Sequence, residues 1–327
     1  MVGATKISGA GTAAAAPAPG DESTELAART SGLRKTYGRT VAVSGVDLSV
    51  PHGAVLGVLG PNGSGKTTTI RMLLGLTSPT AGSIELLGHS VPEHAGRALP
   101  RVGALVEGPG FHPFLSGREN LLRCAAMEPA LHSSVLRQAV DEALERVGLA
   151  DAANRKYRGY SLGMKQRLGL AAALLVPRDL VVLDEPTNGL DPAGTKEIRR
   201  IIAELHAAGT TVLVSSHLLA EVEATCTHAA VLHKGSLVAQ GALTALLEAG
   251  GPNLLVSTAD NTAGLEALRG VGIAAREENG NLRVELTDVD SPEVIAALVQ
   301  AGVGVYEARR GRAGLEDIFA RLTEEES

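Results

Sequence analysis

Short runs of β-branched and aliphatic residues alternate with longer segments of helical periodicity over residues 33–250. This alternation is typical of a mostly parallel α/β sheet, whose buried strands are covered by crossover helices. Three runs are apolar enough to predict fully buried strands, at residues 55–59, 180–183 and 211–215. Polar or glycine-rich residues follow each run, and ligands of such sheets bind at these strand ends.

The strand pattern gives way to helical spacing between residues 116 and 170. Ser116 and Glu119 form the sequence pattern of a capping box. Apolar residues then recur at helical spacing until Gly148, namely Leu136, Ala139, Val140, Ala143, Leu144 and Val147. We therefore expect an inserted helical subdomain at about residues 108–170.

Shorter strand and helix units begin after the large α/β domain expected at residues 25–250. Asn279 and Gly280 predict a hairpin turn. Ser291 and Pro292 predict the cap and first turn of a helix. We therefore expect a small α+β domain at residues 252–327.

Composition and charge narrow the class of protein. The net charge is −6 and no Lys/Arg run forms a basic stripe, so no nucleic-acid partner is expected. The two cysteines have no disulfide-framework or zinc spacing. The longest apolar stretch falls short of the ~20 residues of a membrane-spanning helix, and the Ala/Gly/Pro-rich residues 1–24 predict a disordered tail rather than a secretory signal. A cytoplasmic location follows from these patterns.

A phosphate-binding pattern, G-x-x-x-x-G-K-[ST], stands between the first predicted buried strand and an apolar helix. Its glycines let backbone N–H groups converge on the β-phosphate, its lysine supplies charge to the β and γ oxygens, and its threonine hydroxyl can bind Mg²⁺. The predicted nucleotide-binding residues are Gly60, Pro61, Asn62, Gly63, Ser64, Gly65, Lys66, Thr67 and Thr68.

Two carboxylates, Asp184 and Glu185, end the second predicted buried strand. The first is suited to hold the water shell of a metal ion, and the second to orient a nucleophilic water. Hydrophobic strands often end in acids, but the phosphate loop upstream favours the catalytic interpretation.

The segment from Tyr160 to Arg167, read with these two motifs, resembles the signature of the ATP-binding cassette family. The resemblance covers residues 33–250 and implies an ABC-class P-loop NTPase with a mixed, mostly parallel sheet, an inserted helical subdomain and a small C-terminal α+β domain. It also implies that Ser161 and Gly163 bind the γ-phosphate of an ATP held mainly by a second copy. Leu162 and Met164 depart from the usual signature residues and resemble a subgroup of antibiotic-resistance and lantibiotic-immunity exporters.

Further positions match the family individually. Residues 189–191, ending in Asp191, resemble the loop that crosses to the partner subunit. His217 resembles the switch histidine that contacts the γ-phosphate. Tyr37 resembles the aromatic residue that stacks on adenine, although a half-buried core tyrosine would give the same pattern.

Glu107 occupies the place where the family has a glutamine. Its carboxylate oxygen can bind Mg²⁺ or its water, with added negative charge beside the triphosphate. The loop that follows resembles the one that docks on the membrane partner of transport cassettes, and an ordinary exposed loop is the alternative.

Taken together, the resemblance implies an ATPase with ATP and Mg²⁺ as cofactors. Two copies are expected to form a homodimer that binds a separate integral-membrane permease, which places the chain on the inner face of the cell membrane. By analogy with these exporters, we expect the permease to export its cargo, which is a drug, a peptide or a lipid. The alternative is a soluble ABC-type switch in translation or DNA repair, but the chain has neither two cassettes nor a long coiled coil. A binding module without turnover is disfavoured by Lys66, Asp184, Glu185 and His217.

Overall fold

The computed structural model describes residues 25–106, 110–249, 251–278, 280–286, 289–312 and 314–315. Its strands are β1 (Leu26–Tyr37), β2 (Thr40–Val46), β3 (Ser49–Pro51), β4 (Val55–Leu59), β5 (Ala81–Leu86), β6 (His89–Val91), β7 (Val102–Leu105), β8 (Leu180–Asp184), β9 (Thr211–Ser216), β10 (His228–His233), β11 (Ser236–Ala242), β12 (Pro252–Thr258), β13 (Ala275–Glu278), β14 (Asn281–Glu285) and β15 (Val305–Arg312). Its α-helices are α1 (Lys66–Leu73), α2 (Ala95–Ala98), α3 (Gly117–Ala126), α4 (Leu136–Arg146), α5 (Leu162–Ala173), α6 (Pro192–Ala207), α7 (Leu219–Thr225), α8 (Leu243–Ala249), α9 (Asn261–Gly270) and α10 (Ser291–Gln300). Within these ranges, no helix combines the length and apolar character needed to cross a membrane.

The central sheet has six strands in the order β11-β10-β4-β9-β8-β7. Neighbouring strands from β10 to β7 run parallel, and β11 is an antiparallel edge strand. Every residue of β4 and β9 is buried, as is most of β8, so the three predicted buried strands are confirmed. Their continuous apolar character follows from cover on both faces. The predicted α/β fold with a mostly parallel core sheet is confirmed.

A second sheet, antiparallel and ordered β2-β1-β5-β6 with β3 paired to β1, covers one face of the central sheet. Helix α1 contributes Ile70, Met72 and Leu73 to the apolar layer between them. The opposite face of the central sheet packs against α5, α6 and α7, with α3 and α4 outside. The start of α1 is therefore held firmly beside the end of β4.

Helices α3, α4 and α5 make up the predicted helical region. The capping box of α3 is confirmed, because the Glu119 N–H donates to Ser116 Oγ at 3.1 Å and the Ser116 N–H donates to Glu119 Oε2 at 2.7 Å. Two arginines from neighbouring helices bind the C-terminal carbonyls of α4. Arg167 donates to the Val147 carbonyl at 3.0 Å, and Arg200 to the Arg146 carbonyl at 2.8 Å. Cations are favoured at a helix C-terminus, so these contacts join the helical region to α5 and α6.

A third sheet, antiparallel and ordered β13-β14-β12-β15, combines with α9 and α10 in a split β-α-β arrangement. Its separate core is formed by Leu254, Val256, Leu268, Leu282, Val284, Val294, Leu298 and Val303. Glu278 pairs with Asn281 across the predicted hairpin, which is therefore confirmed, while Asn279 lies outside the described residues. After β15 the chain returns to the large core, where Leu315 is buried and its N–H donates to Glu223 Oε1 of α7 at 2.6 Å.

The prediction that Ser291 caps α10 was wrong by one residue. The cap is Asp290, whose Oδ1 accepts from the Glu293 N–H at 3.1 Å. Ser291 is the first helical residue, and its hydroxyl instead accepts from Arg310 Nε at 2.7 Å. A carboxylate one position earlier outcompetes the hydroxyl because it accepts more strongly at the positive end of the helix.

Candidate functional site

The phosphate loop joins the end of β4 to the start of α1. Gly65 has a φ of +101°, and a Cβ at this position would lie 2.7 Å from the Ala42 carbonyl oxygen on β2. A Cβ at Gly60 would lie 2.3 Å from the Leu232 carbonyl oxygen. Both positions therefore require glycine. Gly65, the residue before α1, has no side chain to cap the helix, so the N–H groups of the first turn can bind an anion.

The other predicted loop residues differ in exposure. Pro61, Asn62 and Gly63 are exposed. Ser64 is buried, and its hydroxyl has no hydrogen-bond partner within the described part of the chain. Thr67 and Thr68 are half-buried in the first turn of α1.

Lys66 is directed toward the loop and the second buried strand. Its side chain is only 6% exposed, and its Nζ donates to the Gly60 carbonyl at 2.7 Å and to the Pro61 carbonyl at 3.3 Å. The same Nζ lies 3.3 Å from Glu185 Oε1. The structure thus brings the predicted lysine and the predicted catalytic carboxylate together.

Asp184, the last residue of β8, joins the phosphate loop to β9. Its Oδ1 accepts from Thr67 Oγ1 at 3.3 Å and from Ser215 Oγ at 2.6 Å. A hydroxyl and a carboxylate side by side are the oxygen ligands that Mg²⁺ prefers.

Glu185 has a strained backbone and a fixed side chain. Its φ is +49°, a left-handed value that is unfavourable for a residue with a Cβ and is concentrated at functional sites. The strained peptide is held because the Glu185 N–H donates to Ser215 Oγ at 2.9 Å. His217 Nδ1 lies 2.7 Å from Glu185 Oε2, where a ring N–H donates to the carboxylate. Glu185 and His217, which the sequence predicts separately as catalytic residues, are thus in direct contact.

Ser215 belongs to this candidate site, although no motif in the sequence singles it out. It is fully buried, and its single hydroxyl donates to Asp184 while accepting from the Glu185 backbone. The available signal was the pair Ser215 and Ser216 at the end of an otherwise apolar strand. A buried hydroxyl requires partners, and the ends of neighbouring parallel strands supply them.

The signature segment lies at the start of α5 and lines a separate pocket. Ser161 caps the helix, with its Oγ accepting from the Met164 N–H at 3.3 Å. Leu162 is half exposed, and a Cβ at Gly189 would lie 2.8 Å from its Cδ2. The residues of this pocket are Ser161, Leu162, Gly163, Arg167, Gly189, Leu190, Asp191, Ala193, Gly194 and Glu197. The phosphate-loop residues do not line it.

Two acidic side chains of this pocket have defined roles in the fold. Asp191 caps α6, with its Oδ1 accepting from the Gly194 N–H at 2.8 Å. A hydrogen bond from Arg200 holds the pKa of the Glu197 carboxyl below its usual value, so Glu197 is ionised at neutral pH.

Tyr37 is the last residue of β1 and is about half exposed. The Lys35 Nζ lies 5.0 Å from the centroid of its ring. Tyr37 pairs with Thr40 across the β1–β2 turn, and β2 contacts the phosphate loop at Ala42. Its stacking on adenine stays a prediction.

Glu107 lies outside the described residues, so its predicted metal contact stays a prediction. The strand before it, β7, pairs in parallel with β8. In the loop after it, the Phe111 ring packs edge-on against Tyr157, with 5.4 Å between the ring centroids. This loop is therefore attached to the helical region.

Comparison with known proteins agrees with this geometry. The family described as "ABC transporter" matches residues 43–188. The bacitracin transport ATP-binding protein BcrA of Bacillus licheniformis is 37% identical over 298 residues, covering 90% of this chain and 96% of BcrA. The daunorubicin/doxorubicin resistance ATP-binding protein DrrA of Streptomyces peucetius is 35% identical over 305 residues, covering 91% of this chain and 92% of DrrA.

Solved structures agree on the fold. The dimeric structure of MJ0796, a bacterial ABC transporter cassette, matches with a TM-score of 0.61 at 24% identity, covering 66% of this chain and 98% of that one. BcrA and DrrA are 37% and 35% identical to this chain, and the matches cover 96% and 92% of their lengths, so these relatives show the family as well as the fold. The chain belongs to the family of ABC transporter ATP-binding proteins and is an ATP-binding cassette ATPase.

Proposed function

We propose that two copies of this chain enclose two ATP molecules, hydrolyse them and thereby drive a separate membrane permease that exports a drug, peptide or lipid. The observation that carries the proposal is the separation of two phosphate-binding segments within one chain. The phosphate loop gathers Lys66, Asp184 and Glu185, whereas Ser161 and Gly163 line another pocket. A complete ATP site therefore takes the loop of one copy and the signature of the other.

ATP binding begins at the start of α1 and at Lys66. The open N–H groups of the helix receive the phosphate oxygens. Those oxygens replace the Gly60 and Pro61 carbonyls as acceptors for the Lys66 ammonium. Lys66 then leaves Glu185, whose carboxylate becomes free to contact water.

Hydrolysis uses Glu185 and His217. Glu185 accepts a proton from water as the water oxygen bonds to the γ-phosphorus, and the bond from that phosphorus to the β–γ bridging oxygen breaks to release ADP and phosphate. His217 holds Oε2 of the carboxylate, which leaves Oε1 as the proton acceptor. Ser161 of the other copy donates to the γ-phosphate, because its hydroxyl hydrogen is not used in capping α5.

Thr67 and Asp184 would hold Mg²⁺, and their contact across 3.3 Å supports this assignment. There the ion would supply positive charge that offsets the negative charge of the triphosphate. Glu107 is proposed as a further ligand on the sequence pattern alone.

The proposed domain division places a cassette at residues 25–250, with a helical subdomain at about 108–170, and an accessory domain at 252–327. The separate core around Leu254 and Val256 supports the second boundary. Residues 1–24, the proposed tail, lie outside the described residues. We place the chain on the inner face of the cell membrane, bound to its permease.

BcrA is named for bacitracin transport and DrrA for daunorubicin and doxorubicin resistance, and these names support export of a cargo of that kind. The match over nearly the whole of both relatives extends this support to the C-terminal domain.

A mixing experiment tests the shared site. Lys66→Ala leaves the signature intact, and Ser161→Ala leaves the phosphate loop intact, so each variant alone builds two defective sites. A heterodimer of the two contains one complete site and one doubly defective site. We expect equimolar mixing, with unfolding and refolding to exchange subunits, to raise the ATPase rate well above the mean of the separate variants.

A mixture that never exceeds this mean would contradict a site shared between copies. Mixing Lys66→Ala with Glu185→Gln is the matched control. Both changes lie on the phosphate-loop side, so each of the two sites in this heterodimer lacks one of these groups. This second mixture is expected to stay inactive.

A further inference from the structure

Glu221 connects the two loops that flank the catalytic carboxylate. Its Oε2 accepts from Thr187 Oγ1 at 2.6 Å and from Ser216 Oγ at 3.1 Å. Thr187 lies two residues after Glu185, and Ser216 directly precedes His217. We propose that Glu221 is a positioning residue for hydrolysis, which holds these two loops in register. The proposal rests on the proposed function of Glu185 and His217.

The helix that carries Glu221 has a fixed position on the central sheet. Val222, the next residue, is 1% exposed. A Cβ at Gly57 of β4 would lie 2.6 Å from Val222 Cγ1 and 3.0 Å from Cys226 Sγ. Helix α7 therefore packs tightly against the backbone of β4. The Glu221 carboxylate is carried on this rigid element, so it can fix the positions of the Thr187 and Ser216 hydroxyls.

Ser216 links Glu221 to His217, the next residue in the chain. Its hydroxyl donates to Glu221, and its oxygen accepts from the Leu218 N–H at 3.0 Å. The residues on both sides of His217 are therefore fixed. With the bond from His217 to Glu185, the contacts form a closed ring through Thr187, Glu221 and Ser216.

Thr187 extends the ring toward the signature pocket. Its carbonyl accepts from the Leu190 N–H at 3.1 Å. A Cβ at Gly163 would lie 3.6 Å from Leu190 Cδ2. Glu221 therefore lies at the junction between the hydrolytic carboxylate and the loop that borders the signature.

Among the hydrogen bonds and ion pairs of the described residues, the direct link from the ring to the phosphate loop is the one between Glu185 and Lys66. Lys66 is bound to the Gly60 and Pro61 carbonyls, and neither involves Glu221. Loss of Glu221 should therefore misplace Glu185 and His217 while ATP binding persists. A role in stability alone would not separate turnover from affinity in this way.

The test compares Glu221→Ala with Glu221→Gln in the full chain. The alanine variant removes the acceptor of the Thr187 hydroxyl and the nearer of the two acceptors of the Ser216 hydroxyl. We expect kcat to fall about tenfold or more, since small misplacements of catalytic groups are costly. The glutamine variant keeps an amide oxygen that accepts both bonds, and it should recover most of the loss. ATP affinity of the monomer measured by calorimetry should change by about twofold or less in both, because Lys66 and the start of α1, which are proposed to hold the nucleotide, are unchanged.

A double-mutant cycle with Thr187→Val identifies the route of the effect. If Glu221 acts through Thr187, the valine substitution lowers kcat in the wild-type chain and adds little in the Glu221→Ala background. Glu266→Gln, on the exposed face of α9, removes the same charge elsewhere and should leave kcat unchanged. If Glu221→Ala fails to fold by thermal melting, Glu221→Gln and Thr187→Val supply the same comparison against wild type.

Unchanged kcat in Glu221→Ala, fully additive effects in the cycle, or a loss of ATP affinity that matches the loss of kcat would overturn this inference. A wild-type chain without ATPase activity, or a failed mixture of Lys66→Ala with Ser161→Ala, would instead overturn the proposed function. The two failures are therefore distinguishable.

Discussion

The starts of α1 and α5 are both proposed to bind phosphate, but they are built differently. Gly65 precedes α1 in a left-handed conformation and offers no side-chain cap. Ser161 precedes α5 and caps it through Oγ. The first helix start keeps its N–H donors open, whereas the second uses one of them and contributes a hydroxyl hydrogen. On the proposed function, the phosphate loop therefore binds nucleotide alone, and the signature adds one hydrogen bond to a nucleotide that is already held.

Glu185→Gln tests the chemistry on the phosphate-loop side and should have the largest effect. The amide cannot accept the proton of the attacking water, so we expect turnover to fall ~10²-fold or more. ATP should still bind and still drive dimer formation, because Lys66 and the start of α1 are intact. Phosphate release and size-exclusion chromatography with ATP measure the two properties, and wild-type turnover would remove Glu185 from this role.

Lys66→Ala tests whether the two helix starts contribute differently to the affinity for ATP. A hydrogen bond to a charged group contributes about 1.5–3 kcal/mol, so ATP should bind about 10- to 150-fold more weakly. Ser161→Ala in monomeric protein is the control, and its affinity for ATP should match wild type. Equal losses in the two variants, measured by calorimetry, would mean that the two helix starts are not distinct in role.

Leu162→Ala should have the smallest effect of the three substitutions. It changes the signature segment only, so dimerisation should weaken while binding of ATP to the phosphate loop stays the same. Leu162 is about half exposed beside Gly189 and is proposed to be covered in the dimer. Truncating a leucine that is half buried removes about 1 kcal/mol of apolar contact in each copy, so ATP-dependent dimerisation, which covers two copies, should weaken by up to about 30-fold. Leu162→Met preserves the volume and is the control. A dimer constant unchanged by Leu162→Ala would place this residue outside the interface.

The features that the sequence predicted correctly depend on residues close together in the chain. The buried strand β4 followed by the glycine pattern of the phosphate loop is one, and the capping box of Ser116 and Glu119 is another. Such local signals need only the period of a strand or the spacing of a helix turn. The three buried strands of the central sheet, the phosphate loop and the start of α3 could therefore be predicted, whereas the antiparallel sheet β2-β1-β5-β6 was not.

The contacts that the sequence did not predict join residues far apart. Ser215 reaches Asp184 on the neighbouring strand, and Glu221 reaches Thr187 on a loop 34 positions earlier. No periodicity links such pairs, because they meet only when β8 and β9 lie side by side. The cap of α10 was missed for another reason: Asp290 and Ser291 are adjacent, and both residue types are favourable caps.

The burial of Leu315 gives the C-terminal sheet a second point of attachment. The chain leaves the large core after α8 and is fastened to it again at α7, where the Leu315 N–H meets Glu223. The intervening residues thus form a closed loop that contains a folded unit, and the entropic cost of such closure rises only slowly with loop length. After a single protease cut between α8 and β12, the C-terminal sheet would still be bound to α7 through Leu315. Deletion of all residues after α8 would remove the Leu315 side chain and leave a cavity in the large core.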